Sequence, residues 1–268
     1  MSGVRKDKYM KTISLVIPVY NEEKRLRNIF EALSKLQLPT GLKLDKVIFV
    51  NDGSTDKTDL LLHNFRRIND TKKRIYIRCY ENNKGKGHAV RLGMLTSKAD
   101  YTLILDADMS TKLSELKKFV PWINQNTAVI VGTRKNGKST VIIHQPLYRE
   151  LLGKGFTFLT NTLLGMHMSD FTCGFKAFSN NAKDMIFPSS RIKRWGYDAE
   201  IIFLARKYNL SIQEVPVVWS DKKGSRVNIT KDILVSLKEL FHIRIAYAPL
   251  LPSFSPVLRL SKAVTSLF

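Results

Sequence analysis

The chain has 268 residues, enough for one large domain with a complete core, and its 44% hydrophobic and 25% charged residues exclude a disordered or fibrous protein. Against 23 Asp and Glu stand 44 Lys and Arg, a net charge of +21 that calls for an anionic partner: nucleic acid, an anionic membrane surface or a phosphorylated substrate. Two cysteines, Cys79 and Cys173, exclude a disulfide framework and a Cys/His zinc pattern.

The opening MSGVRKDKYMK is basic but has no apolar h-region, and no run of about 18 apolar residues occurs, so neither signal peptide nor spanning helix is expected. A reducing, cytoplasmic setting is expected. TISLVIPV (12–19) is a β-branched apolar run that predicts a buried strand. EKRLRNIFEALSKL (23–36) follows with Leu26, Ile29, Phe30 and Leu33 at helical spacing. KVIFV (46–50) and DKTDLLLHNFRRI (56–68) repeat the step, with Thr55 or Asp56 at the helix start. RIYIRCY (74–80), GHAVRLGMLTS (87–97) and YTLILD (101–106) predict a third strand, a third helix and a fourth strand. LSELKKFVPWINQN (113–126) and AVIVGTR (128–134) predict one more helix and strand.

This alternation implies the α/β class: right-handed crossovers and a mostly parallel central sheet with helices on both faces. The second half is less regular. A long helix is predicted over 147–164, then the Gly- and Cys-containing SDFTCGFKAFS, a helix near 198–208, a strand IQEVPVVW (212–219) and a helix over 230–247. With no repeat or low-complexity linker, residues 1–249 are expected to form one domain and 250–268 an extension.

Open α/β sheets bind ligands outside the carboxyl ends of their strands. There the chain places PVYNEE, with Pro18, Tyr20 and Glu22; NDGSTD, with Asp52; NNKGKGHA, with Lys84, Gly85 and Lys86; DADMS, with Asp106 and Asp108; and GTR, with Arg134. Residues two apart in an extended chain share a face, so Asp106 and Asp108 repel unless a cation lies between them. Singly, NDGS is a common turn and KGKG a flexible basic loop. Together, at successive strand ends, they outline a site. Neither a phosphate-loop pattern nor a Gly-x-Gly-x-x-Gly helix start is present, which excludes an ordinary phosphate-loop ATPase and dinucleotide dehydrogenase.

In this order, IPVYNEE, NDGSTD and the Asp-x-Asp resemble glycosyltransferase family two, whose members have the GT-A fold; the resemblance runs over about 13–247. NKGKGHAVRLGM, LILDADMST, VGTR, DFTCGFKAF, RWGYDAEI and KGSRV are similar to the branch that loads polyprenyl phosphates. The series from CGFKAF to GSRV is closer to its glucose-transferring than its mannose-transferring members.

The resemblance implies a metal-dependent, inverting transfer of a hexose from a nucleotide sugar, UDP-glucose before GDP-mannose, to a polyprenyl or dolichyl phosphate. It implies Asp106 and Asp108 as ligands of Mg²⁺ or Mn²⁺, with Asp106 also on the nucleotide. Pro18, Tyr20, Glu22, Asp52, Lys84, Gly85, Asp106 and Arg134 are the implied donor site. Arg149 and Arg226 are the implied grip on the acceptor phosphate, and Asp106, Asp108, Asp198 and Arg226 the implied catalytic set. Mannose synthases often have Gln where this chain has Ser110, so Ser110 is not assigned to the metal.

A phosphate monoester is already anionic near neutral pH, whereas a hydroxyl needs a general base. Asp198 and Glu200 therefore read two ways, as acceptor-site acids or as cap and first-turn acids of the next helix. Trp195 and Tyr197 line a lipid path or belong to the core. Transfer to a saccharide or protein hydroxyl, with Asp198 as base, is the alternative enzyme. A nucleic-acid-binding module is disfavoured, because the basic residues are spread along the chain rather than gathered with aromatics on one element. An isoprenoid acceptor implies peripheral contact with the cytoplasmic face of a membrane, expected through the apolar, basic LLPSFSPVLRLSKAVTSLF (250–268). Composition leaves the oligomeric state open.

Overall fold

A computed structural model describes residues 10–135, 137–222 and 229–247. The predicted alternation is there: β1 (Lys11–Val19), α1 (Leu26–Ser34), β2 (Leu42–Asp52), α2 (Thr58–Asn69), β3 (Ile75–Tyr80), α3 (Lys86–Thr96) and β4 (Tyr101–Leu105). A 3₁₀ turn (Leu113–Lys118), α4 (Val120–Asn124), β5 (Val129–Thr133), β6 (Thr140–Ile143) and α5 (Leu147–Leu164) follow. The chain continues through β7 (Phe175–Ser179), α6 (Asn180–Ser189), α7 (Tyr197–Lys207), β8 (Ile212–Pro216), β9 (Val218–Ser220) and α8 (Ile229–Ala246).

Seven strands form one sheet in the order β3-β2-β1-β4-β7-β5-β8, and β6 pairs with β9 apart from it. The sheet is parallel except at β7, which runs antiparallel between β4 and β5. The central strands β1, β4 and β5 are apolar and almost wholly buried because both faces are covered, while the edge strands β3 and β8 are partly exposed. Ile13, Leu15 and Ile17 point to the side packed by Leu26 and Ile29 of α1 and Leu62 and Phe65 of α2. Val16, Ile48 and Val50 point to the other, against Ala89, Val90 and Met94 of α3.

Three expectations change. The helix predicted over 113–126 is a 3₁₀ turn followed by the short α4, with Pro121 in its first turn. Proline lacks the N–H that a continuous helix would need there. SDFTCGFKAFS carries the antiparallel β7, and Ser179 then caps α6 by accepting from the Ala182 N–H. The strand predicted over 212–219 divides after Pro216, where β8 ends; the Val217 N–H donates to the Thr133 carbonyl (3.1 Å), and β9 turns away to meet β6.

The reversal of β7 matters for the site. Leu105 at the end of β4 lies opposite Phe175 at the start of β7, so residues 173–174 enter the edge that the parallel strands leave. The segment KGSRV with Arg226, and the tail 250–268, lie outside the described residues. Among the described residues no helix is long and apolar enough to cross a membrane.

Candidate active site

The loops after β1 and β2 are laced together. Asn21 adopts a left-handed conformation (φ +52°), and its Oδ1 accepts the Thr55 N–H at 2.7 Å. Glu22 is nearly buried and forms an ion pair with Arg25. Its own N–H donates to Thr58 Oγ1 at 2.7 Å, so it helps to build the loop. Pro18 sits within β1, and Tyr20 is exposed just beyond it.

Asp52 is buried at the end of β2. Its carboxylate accepts from Tyr80 Oη (2.7 Å), Asn83 Nδ2 (2.9 Å) and the backbone N–H groups of Lys84 (2.8 Å) and Gly85 (3.0 Å). That engagement folds the glycine loop back over the strand end. Gly85 has φ +101°, and a Cβ there would strike the Lys193 carbonyl, so only glycine fits. The loop then launches α3 with Lys86 at its first position.

Lys86 faces Asp106. Its Nζ lies 2.6 Å from Asp106 Oδ1, with both side chains still in part exposed. Burial works against the lysine charge, but Asp106 together with Tyr197 and Asp198 outweighs it and holds the ammonium well above the usual lysine range. On its other side the Asp106 carboxylate lies against the backbone of Gly174, where a Cβ would overlap it. Asp108 is partly exposed; its Oδ1 accepts the Ser110 N–H at 2.9 Å, across Met109 at φ +56°. No described residue donates to its Oδ2.

A hard divalent cation suits this pair. Among the described residues no three His, Cys, Asp or Glu converge on one point. Mg²⁺ typically takes one or two carboxylates and completes its shell with phosphate oxygens and water, and Asp106 with Asp108 can supply that share. Replacing Gly174 by Ala tests the arrangement. The added methyl pushes Asp106 aside without entering the core, so turnover is expected to fall by roughly 10²-fold at unchanged thermal stability. Normal turnover of the folded variant would show that the seat of Asp106 is unimportant.

Asp198 and Lys176, both buried, form an ion pair, and the Lys176 ammonium also donates to the Cys173 carbonyl at 2.7 Å. Burial pushes Asp198 above the usual carboxylate range even though Lys176 and Lys86 pull it down. Tyr197 is core, 2% exposed, whereas Trp195 is half-buried with Lys86 Nζ 5.8 Å from its ring centre. Glu200 is structural: it accepts from the N–H groups of Arg191 (2.8 Å) and Ile192 (2.9 Å) and from Tyr247 Oη (2.9 Å).

Arg134 forks onto Asp170, Nε at 2.7 Å and Nη2 at 2.9 Å, and Nη2 also reaches Thr172 Oγ1 at 2.7 Å. Asp170 is fully buried, and the guanidinium stacks over Trp219. Lys135 donates to the Gly153 carbonyl and Thr157 Oγ1, both at 2.9 Å, and so ties the end of β5 to α5. Arg149 stands on α5 with a buried Nε that has no hydrogen-bond partner among the described residues.

Asp52, Lys84, Gly85, Lys86, Asp106 and Asp108 thus collect where β2 and β4 end, while Arg134 and Arg149 lie with β5 and α5. Asp170, Gly174 and Lys176 were not singled out in the sequence. Their signal was an acid and a lysine inside the apolar DFTCGFKAF.

A family model, glycosyl transferase family 2, matches residues 14–186. The dolichyl-phosphate beta-glucosyltransferase of Homo sapiens is 34% identical over 255 residues, covering 90% of this chain and 77% of that protein. That of Saccharomyces cerevisiae is 32% identical over 253 residues, covering 88% and 75%. Mannosyl-3-phosphoglycerate synthase from Rubrobacter xylanophilus superposes with a TM-score of 0.64 at 14% identity, over 91% of this chain and 77% of that one. Glucosyl-3-phosphoglycerate synthase from Mycobacterium tuberculosis, solved with Mn²⁺, UDP and its product, gives 0.57 at 17% identity, over 91% and 82%. At those identities the two structures share the fold alone.

Proposed function

Because the chain belongs to glycosyl transferase family 2, is a glycosyltransferase and has the GT-A fold, we propose that it moves a hexose from a nucleotide sugar to dolichyl phosphate. Glucose from UDP-glucose is the favoured donor group, in keeping with the names of its human and yeast relatives. Asp106 and Asp108 would hold Mg²⁺ or Mn²⁺ against the donor's diphosphate. That cation supplies Lewis-acid stabilisation of the leaving nucleoside diphosphate, of the order of several kcal/mol.

The chain's own groups do the rest. Asp52 keeps the glycine loop closed over the donor, and Lys86 offsets negative charge beside Asp106. Gly174 fixes where the Asp106 carboxylate sits. Arg149, with its unpartnered Nε, and Arg226 are the proposed cations for the acceptor phosphate. Arg134 shares its guanidinium with Asp170, which leaves it less to offer a ligand than the sequence implied.

The acceptor is inferred from Asp198. Its carboxylate is held by Lys176 in a buried pair rather than offered to solvent as a base, which suits an acceptor that arrives ionised. Positioning and charge stabilisation then suffice for attack on the sugar, with inversion. The test is a donor panel. Radiolabelled UDP-glucose and GDP-mannose are offered separately with dolichyl phosphate and Mg²⁺ or Mn²⁺, and the product is extracted into organic solvent. UDP-glucose is expected to give the most lipid-bound label. No lipid-bound label from any nucleotide sugar would overturn the proposal.

A further inference from the structure

Helix α5 presents an apolar face to solvent. Leu147, Leu151 and Phe158, four and seven residues apart, share one face, and each is at least 67% exposed. Tyr148 and the preceding Ile142 and Ile143 extend the exposed apolar surface, each at least 52% exposed. The side turned inward carries Thr157, Thr160 and Leu164, with Phe156 and Leu163 also packed against the core, and Thr157 Oγ1 bonds Lys135. The outward face of a surface helix in a soluble protein is charged rather than apolar. An exposed apolar patch of this extent marks a binding surface.

Its rim is basic. Of the cations in residues 134–154, Lys138 and Lys154 are exposed and Arg149 partly so, while Arg134 pairs with Asp170 and Lys135 is bonded into α5; the segment's one acid, Glu150, faces His144 at 2.8 Å. Apolar side chains among cations are the composition of a segment that lies in an anionic membrane interface. A second copy of this chain is a poorer occupant, because a two-fold contact would set the same excess of positive charge against itself. The tail 250–268 is a poorer one too, since its only charges, Arg259 and Lys262, are also positive.

We propose that β6 and the first half of α5 form the surface by which this protein docks on an anionic bilayer. The proposal rests on the dolichyl phosphate reading. Lys135, the residue after Arg134, ties α5 to the end of β5, and Arg149 stands on the same helix as the patch. Docking there keeps an isoprenoid tail in the lipid while its phosphate meets Arg149.

The test is sedimentation of the full chain with phosphatidylcholine vesicles, with and without phosphatidylserine. The chain is expected to pellet with the anionic vesicles, and Leu147→Glu/Leu151→Glu to pellet about tenfold less or worse, since two exposed leucines lose their lipid contact. Neither leucine is buried, so circular dichroism is expected to be unchanged. The variant is expected to keep transfer to a short, water-soluble isoprenyl phosphate and to lose it to vesicle-borne dolichyl phosphate. Deletion of 250–268 is expected to leave most vesicle binding intact. Undiminished pelleting of the double variant would overturn the docking surface, as would a wild-type dimer that the variant dissociates or binding that disappears with the tail alone. If vesicles bind as expected but no isoprenyl phosphate accepts sugar, the surface stands and the transfer reading fails.

Discussion

Asp108→Asn is expected to lower turnover by roughly 10²–10³-fold while the protein stays folded. Asparagine keeps the shape and can still accept the Ser110 N–H, so the turn through Met109 survives. It removes one of the two charges that would face a divalent cation, and the loss of a group stabilising developing charge costs about that much. The side chain lies beyond the end of β4, partly exposed and outside both apolar cores, so no cavity forms. Steady-state transfer with Mn²⁺, compared with Mn²⁺ binding followed by electron paramagnetic resonance, checks both halves. A folded Asp108→Asn protein that binds Mn²⁺ normally and turns over normally would remove Asp108 from the metal site.

A second large effect falls on stability. Asp170→Asn is expected to cost about 3–5 kcal/mol, because it leaves the Arg134 guanidinium paired to nothing of opposite charge in a mostly buried place. Burial alone would raise the Asp170 carboxyl, yet the Arg134 fork, helped by Lys135, holds it well below the usual carboxylate range. A carboxylate held low in the native state stabilises fully above its unfolded value and loses that contribution as pH falls toward the native one. The wild type is therefore expected to weaken in acid partly through Asp170, and Asp170→Asn to show a shallower acid limb. Urea unfolding at several pH values measures both, and equal stabilities at neutral pH would contradict the pair's importance.

The parallel strands were legible because burial on both faces makes TISLVIPV and YTLIL continuous apolar runs. β7 was not, because a short strand preceded by Gly174 and interrupted by Lys176 reads as an irregular loop until its neighbours β4 and β5 are known. The same limit hid the ion pairs. Asp170 meets Arg134 across 36 residues and Asp198 meets Lys176 across 22, and no local periodicity announces either contact. Asp106 and Asp108 were visible as two carboxylates just past an apolar strand, but they do not share a face of extended chain: β4 ends at Leu105 and the pair sits in a turn, where the Met109 N–H donates to the Asp106 carbonyl at 3.1 Å. Their companions were less so: nothing in KGKG says that Lys86 turns inward to Asp106 while the Lys84 ammonium lies over the Tyr80 ring.

The acceptor is expected to bring its own charge to the site. Dolichyl phosphate and dolichol, which differ only in phosphate against hydroxyl, can be offered side by side with radiolabelled UDP-glucose and Mn²⁺, to the wild type and to Asp198→Asn. Sugar is expected on dolichyl phosphate alone, in a product split by mild acid, with Asp198→Asn losing activity only as far as its pairing with Lys176 disturbs the fold. Sugar on dolichol or on a saccharide hydroxyl, abolished in a fully folded Asp198→Asn protein, would contradict the account and make Asp198 a base.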